Sequence, residues 1–280
     1  SRVASMLKDR PAPYNSGMDN RMHRFGGIER LYGRGSLQRL AGCRVAVIGI
    51  GGVGSWLVEA LARSGIGSLS LFDADDICVS NSNRQLPALE GNFGSNKADL
   101  MKARCLAINP EIQVEAVASF ITPANMPGLL SPGFDLVIDA CDSFRVKVEL
   151  IAWCRRRKQK LIVIGAAGGR TDPTQVRVRD LAKTEQDALL ALIRRKLRTE
   201  FNFPKNKDRY FSIPAVYSLE NVQYPQADGT VCGRRPAVNP EAGFKLDCGD
   251  GLGAATHVTG AFAFAAAAKA MEILLSIKTE

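Results

Sequence analysis

The sequence predicts an α/β fold: a Rossmann-like, mostly parallel sheet flanked by helices, with an elaborated C-terminal half. Short apolar runs alternate with helical patterns up to Gly169, as parallel strands joined by helices require. A glycine-rich turn joins the first run to the first helix. The 280 residues, 46% hydrophobic and 23% charged, have the composition of an ordinary globular protein, so a large core is possible.

The elements are predicted in order from these patterns. A polar N-terminal arm (1 to about 20) precedes an amphipathic segment near 26–40. Short apolar runs predict strands at 44–50, 68–73, 114–121, 134–140 and 160–168. Helical periodicity predicts helices at about 53–64, 97–109 and 145–158, the second ending before Pro110.

The pattern changes in the C-terminal half. It contains a strand-like stretch at 174–181, a helix at 185–201, a basic loop at 202–209 and an alanine-rich helix at about 254–276. The sequence contains no internal repeat and no low-complexity linker. We therefore expect a flexible arm at 1–20 and one domain at 21–280, elaborated at about 170–253 and completed by a helix that packs on the sheet.

Charge, cysteines and hydropathy limit the class of protein. Lys and Arg outnumber Asp and Glu by 37 to 28, a net charge of +9 that fits either a polyanionic partner or solubility alone. The seven cysteines form no CxxC pair, which argues against a disulfide scaffold and a four-cysteine zinc site. Lys269 and Glu272 interrupt the longest apolar run, and no signal peptide opens the sequence. We expect a cytoplasmic protein without membrane contact.

A glycine-rich turn follows the first predicted strand. Gly49, Gly51 and Gly54 form a GxGxxG pattern, with Gly52 between them. Backbone N–H groups and a helix N-terminus at such a turn can hold phosphate. Asp73, at the end of the second strand, can accept hydrogen bonds from ribose hydroxyls. NAD and ATP fit this pattern equally well.

Polar residues after the second strand favour ATP. The stretch "DADDICVSNSNRQ" supplies the candidate nucleotide-binding residues Asp75, Asn81, Asn83, Arg84 and Gln85, and Lys97 follows near the start of a helix. Two cations beside one nucleotide suit a polyphosphate and charge developing at the α-phosphorus, whereas NAD needs no such pair. Solvation of surface charges is the alternative explanation for each cation taken alone.

Two carboxylates end the fourth strand. "VIDACDS" places Asp139 and Asp142 at the carboxyl edge of the sheet, where ligands of α/β proteins bind. A carboxylate there can hold Mg²⁺ against the phosphates.

The order GxGGxGS, DxD, SNxxRQ, Lys and DxxDS resembles the adenylation domain of ubiquitin-activating-enzyme-like (ThiF/MoeB-type) proteins, over about residues 21–175. The resemblance implies carboxylate adenylation with ATP and Mg²⁺. It implies phosphate contacts from Gly51, Gly52 and Gly54 and ribose contact from Asp73. It further implies three catalytic residues, with phosphate contacts from Arg84 and Lys97 and the metal at Asp142.

Longer stretches resemble the tRNA threonylcarbamoyladenosine dehydratase branch of this superfamily. They are "RFGGIERLYG", "VSNSNRQLPAL", "GGRTDPTQVRVRDLAKTEQDAL", "VQYPQADGTVCG" and "LDCGDGLGAATHVTGAFAF". This resemblance implies ATP-dependent cyclisation of a threonylcarbamoyl group on tRNA, through an acyl-adenylate, with release of AMP and pyrophosphate. It also implies a homodimer, and a sulfur-transfer protein is a further candidate partner.

The alternative function is adenylation of the C-terminus of a ubiquitin-like sulfur-carrier protein. Enzymes of that branch carry an RxxRQ motif whose second arginine enters the partner subunit's site, but "RFGGIE" has Gly27 at that position, so that Arg24 or Arg21 would have to substitute. Their zinc-binding CxxC pairs are also absent. A nucleotide-gated scaffold without turnover is a third hypothesis, which the retained Arg84, Lys97 and Asp142 weaken.

Basic clusters in the C-terminal half are candidates for contact with RNA. The clusters are Arg155 to Lys158, Arg194 to Arg198, and Lys205 to Arg209, with the aromatic residues Phe201, Phe203, Tyr210 and Phe211 between or after the last two. Cations neutralise phosphates and aromatic rings stack on bases, although such runs are also common on solvated faces. Cys232 lies beside two arginines, a setting that can lower a thiol pKa, but ordinary packing is the alternative.

Overall fold

Strands and helices alternate in the computed structural model, which describes residues 18–131, 133–234 and 252–276. The strands are β1 (Arg44–Ile48), β2 (Ser68–Phe72), β3 (Gln113–Val117), β4 (Leu136–Asp139), β5 (Leu161–Ile164), β6 (Val176–Asp180), β7 (Pro214–Ser218), β8 (Tyr224–Pro225) and β9 (Val231–Cys232). The helices are α1 (Met18–Tyr32), α2 (Ser36–Gly42), α3 (Gly54–Arg63), α4 (Lys97–Ile108), α5 (Met126–Leu129), α6 (Phe144–Arg157), α7 (Ala188–Glu200) and α8 (Thr256–Leu275).

Within the described ranges, seven strands form one sheet in the order β3-β2-β1-β4-β5-β7-β6. All neighbours are parallel except β6 and β7, and β8 pairs with β9 in a separate antiparallel hairpin. The predicted mostly parallel α/β fold is therefore confirmed. The third strand ends at Val117, earlier than the predicted 121. Strand β7 was not predicted, because its run "PAVYS" is only five residues long and begins with proline.

The predicted amphipathic segment near 26–40 covers the second half of α1 and most of α2. Gly33 and Gly35 adopt left-handed φ values of 93° and 84°, which end α1 and turn the chain into α2. The Glu29 carboxylate accepts hydrogen bonds from the backbone N–H groups of Gly35, at 2.5 Å, and Leu37, at 3.0 Å. These bonds lower the pKa of Glu29 and satisfy donors at the start of α2. The predicted arm at 1–20 lies largely outside the described residues.

Two apolar cores cover the two faces of the sheet. Alternate residues of β1 point to opposite faces: Val45 and Val47 join one core, and Ala46 and Ile48 join the other. Helices α2, α3, α4 and α8 cover the first face, and α5, α6 and α7 cover the second. Both faces being covered explains why the strands are continuous apolar runs.

Helix α8 is 20 residues long and apolar enough to span a membrane, but 56% of its most apolar stretch is buried inside the fold. It packs on α3 and on β5, β6 and β7. Its alanines and Phe262 belong to the first core. It therefore packs on the sheet, as the sequence predicts.

One buried arginine fastens the C-terminal half to the sheet. The Arg170 guanidinium, 2% exposed, donates to the backbone carbonyls of Ala166, Gln186, Ser218 and Glu220. Burial lowers the pKa of Arg170 despite nearby acidic groups. These bonds connect the end of β5 to the end of β7, so the elaborated half is built onto the central sheet.

Candidate functional site

The carboxyl ends of β1, β2 and β4 meet at one edge of the sheet. The N–H of Gly49 donates to the carbonyl of Phe72 at 2.9 Å, and that of Ala140 donates to the carbonyl of Ile48 at 2.8 Å. The chain leaves β1 toward β2 on one side, while β4 lies on the other side. Such a change of direction opens a crevice outside the strand ends, where α/β proteins bind ligands.

Gly49 and Gly54 are required by close packing of the backbone. Gly49 has φ 87°, and a Cβ there would lie 2.8 Å from the Cα of Cys141. A Cβ on Gly54 would lie 1.8 Å from the carbonyl oxygen of Gly49. A larger residue at either position would push α3 or β4 away from the turn.

Gly51 and Gly52 are less crowded. The nearest atom to a Cβ on Gly51 would be the Gln85 amide nitrogen at 4.0 Å, and a Cβ on Gly52 would lie 3.1 Å from the Cγ of Arg84. Their bare backbone, directly before the N-terminus of α3, lets a phosphate approach N–H groups and the positive end of the helix dipole.

Asp73 supports this loop from the end of β2. Its carboxylate accepts the N–H of Ile50 at 2.7 Å and the N–H of Asp75 at 2.9 Å. Burial raises the pKa of Asp73, although these two hydrogen bonds and Lys97 oppose the shift. Each carboxylate oxygen keeps a second lone pair, so the side chain can hold the loop and also accept ribose hydroxyls.

Lys97 begins α4 and pairs with Asp75. The ammonium is 2.9 Å from Asp75 Oδ2; Lys97 is buried, whereas the Asp75 side chain is half exposed. Asn96 caps α4 by accepting the N–H of Ala98, and its amide donates to the carbonyl of Asp73 at 3.3 Å. Lys97 is thus fixed beside the end of β2, with further N–H donors to offer an anion.

The turn after β2 orders four of the predicted residues. Buried Asn81 accepts the N–H of Cys78 at 3.1 Å, and its own carbonyl accepts the N–H groups of Arg84 and Gln85. The Asn83 amide donates to the carbonyl of Ala254 at 2.8 Å, which joins this turn to the residues before α8. Gln85 is buried, and its Oε1 is without a hydrogen-bond partner among the described residues. The Gln85 side chain borders Gly51 through its amide nitrogen, and its unpaired oxygen is free to accept a hydrogen bond from a ligand.

Arg84 lies against the glycine loop. Its guanidinium donates to the Ser80 carbonyl at 3.1 Å and to Asn83 Oδ1 at 2.9 Å, and its stem packs on Gly52. The Trp56 indole N–H donates to the Arg84 carbonyl at 3.0 Å. The cation is therefore placed beside the candidate phosphate site with donors left over.

A buried ion pair lies beneath Asp142. Lys147 Nζ, from the first turns of α6, is 3.0 Å from Asp139 Oδ1, and both side chains are fully buried. The Cys141 N–H and thiol donate to the same oxygen, at 3.2 and 3.0 Å. Burial opposes charge on Lys147, but Asp139 raises its pKa overall. Lys147 is not among the predicted site residues, since it lies in a run that resembles a solvated basic face.

Asp142 follows this anchored segment and is exposed at the edge of the crevice. Among the residues that the structure describes, no group of three or more His, Cys, Asp or Glu side chains could hold a metal ion. One carboxylate still fits Mg²⁺, which commonly takes one or two carboxylates, water and the phosphates of a substrate.

The basic clusters divide into inward and outward residues. Arg155 donates to the Phe211 carbonyl at 2.5 Å, and Arg198 donates to that of Pro204 at 3.1 Å. Phe203 and Phe211 are 4% and 0% exposed, so the prediction that they stack on RNA bases is wrong: they belong to the second core. The exposed cations of the three clusters are Arg155, Arg156, Arg157, Lys158, Arg195, Lys205, Lys207 and Arg209, and Tyr210 is an exposed aromatic ring.

Four of the described cysteines lie in settings that oppose formation of a thiolate. Burial raises the pKa of Cys43 to about 11 and those of Cys105 and Cys154 to about 12. Burial and Asp139 raise the pKa of Cys141. The Cys232 sulfur contacts the backbone of Arg234, with the N–H at 3.4 Å. Cys248 lies outside the described residues.

The chain is similar to proteins of known function. The model of the ThiF family matches residues 27–280. The tRNA threonylcarbamoyladenosine dehydratase of Haemophilus influenzae is 49% identical over 263 residues, which is 94% of this chain and 97% of that protein. The molybdopterin-synthase adenylyltransferase of Escherichia coli is 33% identical over 130 residues, 46% of this chain and 51% of that protein.

Solved structures give the same result. The E. coli tRNA N6-threonylcarbamoyladenosine dehydratase in complex with AMP superposes with a TM-score of 0.81 at 44% identity, covering 94% of this chain and 98% of that one. The same enzyme in complex with ATP gives a TM-score of 0.80 at 43% identity, with the same coverage.

Proposed function

Because this chain belongs to the ThiF family, we infer that it is an ATP-dependent tRNA threonylcarbamoyladenosine dehydratase. The observation that carries this conclusion is near-full-length similarity to a dehydratase, at 49% identity over 94% of the chain. The glycine loop with Arg84 packed on Gly52 supplies the matching nucleotide site. Sulfur-carrier adenylyltransferases match less than half of the chain and are more distant relatives.

The reaction removes water by using ATP. A carboxylate oxygen of the threonylcarbamoyl group attacks the α-phosphorus, the bond to the bridging oxygen of the β-phosphate breaks, and pyrophosphate leaves. A nucleophile of the same side chain then attacks the activated carbonyl carbon, and AMP leaves with the former carboxylate oxygen. Because the second step is intramolecular, the enzyme contributes mainly orientation, activation and exclusion of water.

The residues at the sheet edge have distinct roles in this proposal. The loop Gly49–Gly54 and the N-terminus of α3 bind the phosphates, and Asp73 binds the ribose. Arg84 and Lys97 stabilise the negative charge that develops at the α-phosphorus and on pyrophosphate. Lys97 keeps its ion pair with Asp75 while its other N–H groups reach the phosphate. Asn81, Asn83 and Gln85 fix the turn that presents Arg84.

Mg²⁺ is the metal that suits this site, with Asp142 as its protein ligand. The exposed single carboxylate beside the glycine loop fits an ion that is held mainly by phosphate oxygens. The ion would neutralise the polyphosphate chain. The backbone contact between Cys141 and Gly49 keeps Asp142 next to that loop.

Exposed cations and one exposed aromatic ring in the C-terminal half are the proposed contacts with tRNA. Arg195, Lys205 and Lys207 are exposed, and Tyr210, 63% exposed, offers a ring for stacking. The Lys183 ammonium lies 5.3 Å from the centre of the Tyr210 ring and donates to the Lys207 carbonyl at 2.8 Å, which orders this surface.

The remaining parts of the proposal concern organisation. Residues 21–280 act as one adenylation domain in a cytoplasmic homodimer, and a sulfur-transfer protein is a further partner. Arg21 and Arg24 are the candidates for an inter-subunit arginine. Within one chain Arg21 contacts the carbonyl of Gly65, just after α3, and Arg24 contacts the carbonyl of Ile108, the last residue of α4.

The test is mass analysis of nucleosides from tRNA that carries threonylcarbamoyladenosine, after incubation with the protein and ATP. We expect a product lighter by one water, formed together with AMP and pyrophosphate. Release of ADP would contradict the assignment. So would an unchanged nucleoside if the protein instead adenylates the C-terminus of a sulfur-carrier protein.

A further inference from the structure

A slot of about 290 Å³ opens between α3 and α8, close to the glycine loop. Its lining consists of Trp56, Thr256, His257, Gly260, Ala261 and Phe264. We propose that this slot binds the adenine ring that carries the threonylcarbamoyl group. The proposal rests on the function proposed above and identifies where that substrate's base is held.

The slot has the shape and chemistry of a site for one flat ring. Its volume lies just below the range of about 300–1,000 Å³ for small-molecule pockets, so it suits a single base better than a whole nucleotide. Trp56 and Phe264 form its aromatic walls, with ring centres 6.4 Å apart and planes at 79°. Phe264 is 52% exposed despite lying on a helix whose other face is core. Gly260 and Ala261 line the slot beside the rings and add little bulk to it, because their side chains are minimal.

The slot shares a wall with the phosphate-binding loop. Trp56 donates its indole N–H to the Arg84 carbonyl at 3.0 Å, and Thr256 donates its hydroxyl to the Asn83 carbonyl at 2.6 Å. A Cβ on Gly52 would lie 3.3 Å from Thr259 Cγ2, one helical turn after Thr256. The turn that carries Arg84 thus lies between the slot and the loop and contacts both.

This separation matches the substrate's chemistry. The reacting carboxylate is attached to the base through a short linker, so the base must be held close to the α-phosphorus but outside the phosphate site. Stacking on an aromatic ring beside the loop achieves this, and it fixes the orientation on which intramolecular ring closure depends. Asp73, the proposed ribose ligand of ATP at the end of β2, contacts the loop at Ile50, whereas the slot lies between α3 and α8.

The slot's chemistry also argues against an anionic occupant. Its lining is almost entirely apolar, with Thr256 and His257 as its polar members, and the His257 ring nitrogen is already 3.1 Å from the Thr171 carbonyl. A phosphate would lose its hydration there without gaining charged partners. A base loses little hydration there, because its faces are apolar and its polar edge can stay in water at the mouth of the slot.

Fluorescence gives a direct test, since the chain has two tryptophans. Trp153→Phe leaves Trp56 as the single reporter. An anticodon stem-loop RNA with threonylcarbamoyladenosine should quench its emission in the presence of a non-hydrolysable ATP analogue. The same RNA with an abasic nucleotide at the target position should bind without quenching. Equal quenching by both RNAs, or quenching by the ATP analogue alone, would overturn the proposal.

Kinetics provide a second test that does not depend on the reporter. Phe264→Ala should raise the KM for the modified RNA about tenfold, the scale of one lost stacking contact, with the KM for ATP unchanged. Phe264→Tyr keeps the ring and should retain wild-type values. Phe120→Ala is the matched control, because Phe120 is 59% exposed and lies outside the slot.

Three results separate the ways in which these ideas can fail. An active wild type with an unchanged KM in Phe264→Ala overturns the slot but leaves the proposed function intact. A change in sedimentation mass of Phe264→Ala shows that a second copy of the chain covers the slot, which also overturns it. A wild type that forms no cyclic product contradicts the proposed function itself.

Discussion

Lys147 and Asp139 form an ion pair at 3.0 Å with both side chains fully buried, directly beneath the candidate nucleotide site. Lys147 also donates to the Asp139 backbone carbonyl at 3.2 Å, so it connects α6 to the last residue of β4. Asp139 Oδ2 is buried and without a hydrogen-bond partner among the described residues. The pair therefore holds the start of the segment that carries Asp142, at the cost of burying two charges.

Lys147→Met should lower the free energy of unfolding by about 3–5 kcal/mol, because it leaves the Asp139 carboxylate buried without a counter-charge. The folded-state pKa of Lys147 is raised, so its contribution is present below the unfolded-state pKa of about 10.4 and is lost as the pH rises through the folded value. Urea denaturation should thus show the same loss between about pH 6 and 9.

The double variant Asp139→Asn/Lys147→Met is the control. Removing both charges should recover a large part of the lost stability, since no uncompensated charge remains. Equal instability of the single and double variants would show that the two side chains are not coupled.

Local patterns were sufficient for the fold and for the position of the glycine loop. The apolar run at β1 and the GxGxxG turn define a strand, a turn and a helix from short-range sequence alone. Lys147 could not be predicted, because in "RVKVELIAWCRRRK" it looks like one of several solvated cations. Only the packing of α6 against the end of β4 shows that it is buried. Phe203 and Phe211 could not be predicted as core residues either, because in the sequence they stand beside cations like exposed aromatics. In the fold the Arg155 guanidinium carbon lies 5.4 Å from the centre of the Phe203 ring, and that of Arg198 lies 5.1 Å from the centre of the Phe211 ring.

Arg84→Ala and Asp142→Ala should each reduce the rate of AMP and pyrophosphate formation by at least ~100-fold, the scale of removing one charge-stabilising group. Neither side chain is part of the core, so thermal unfolding should stay close to that of the wild type. Single-turnover assays at saturating ATP measure the effect. If both variants turn over at near wild-type rates, Arg84 and Asp142 are surface charges and the site lies elsewhere.

Gly54→Ala should weaken ATP binding and destabilise the fold by about 1–3 kcal/mol, because the new Cβ would lie 1.8 Å from the Gly49 carbonyl oxygen. Gly128→Ala in α5 is the matched control, since a Cβ there meets no atom within 4 Å among the described residues. Calorimetric titration with ATP and thermal unfolding of both variants test this. Normal ATP affinity in Gly54→Ala would show that the loop does not bind phosphate.

The double variant Arg195→Glu/Lys205→Glu should weaken tRNA binding and flatten the slope of log affinity against log salt by roughly one unit per lost contact. ATP affinity should not change. Lys102→Glu/Arg34→Glu, which makes the same charge change at two other exposed positions, should leave the slope near the wild-type value. If both double variants lower the slope equally, tRNA responds to the overall charge rather than to this surface.

Cys232→Ser should retain most of the ATP-dependent cyclising activity. In the dehydratase chemistry an atom of the modified side chain attacks the acyl-adenylate, so the enzyme forms no covalent bond to its substrate. A thioester or persulfide mechanism, in contrast, requires an enzyme thiol. The Cys232 thiol donates to the Arg234 carbonyl and accepts from the Arg234 N–H, and a serine hydroxyl can replace both hydrogen bonds. Single-turnover cyclisation of modified tRNA, with AMP release followed in parallel, gives the comparison. If AMP is still released but the cyclic product disappears, Cys232 takes part covalently and the sulfur-carrier mechanism gains support.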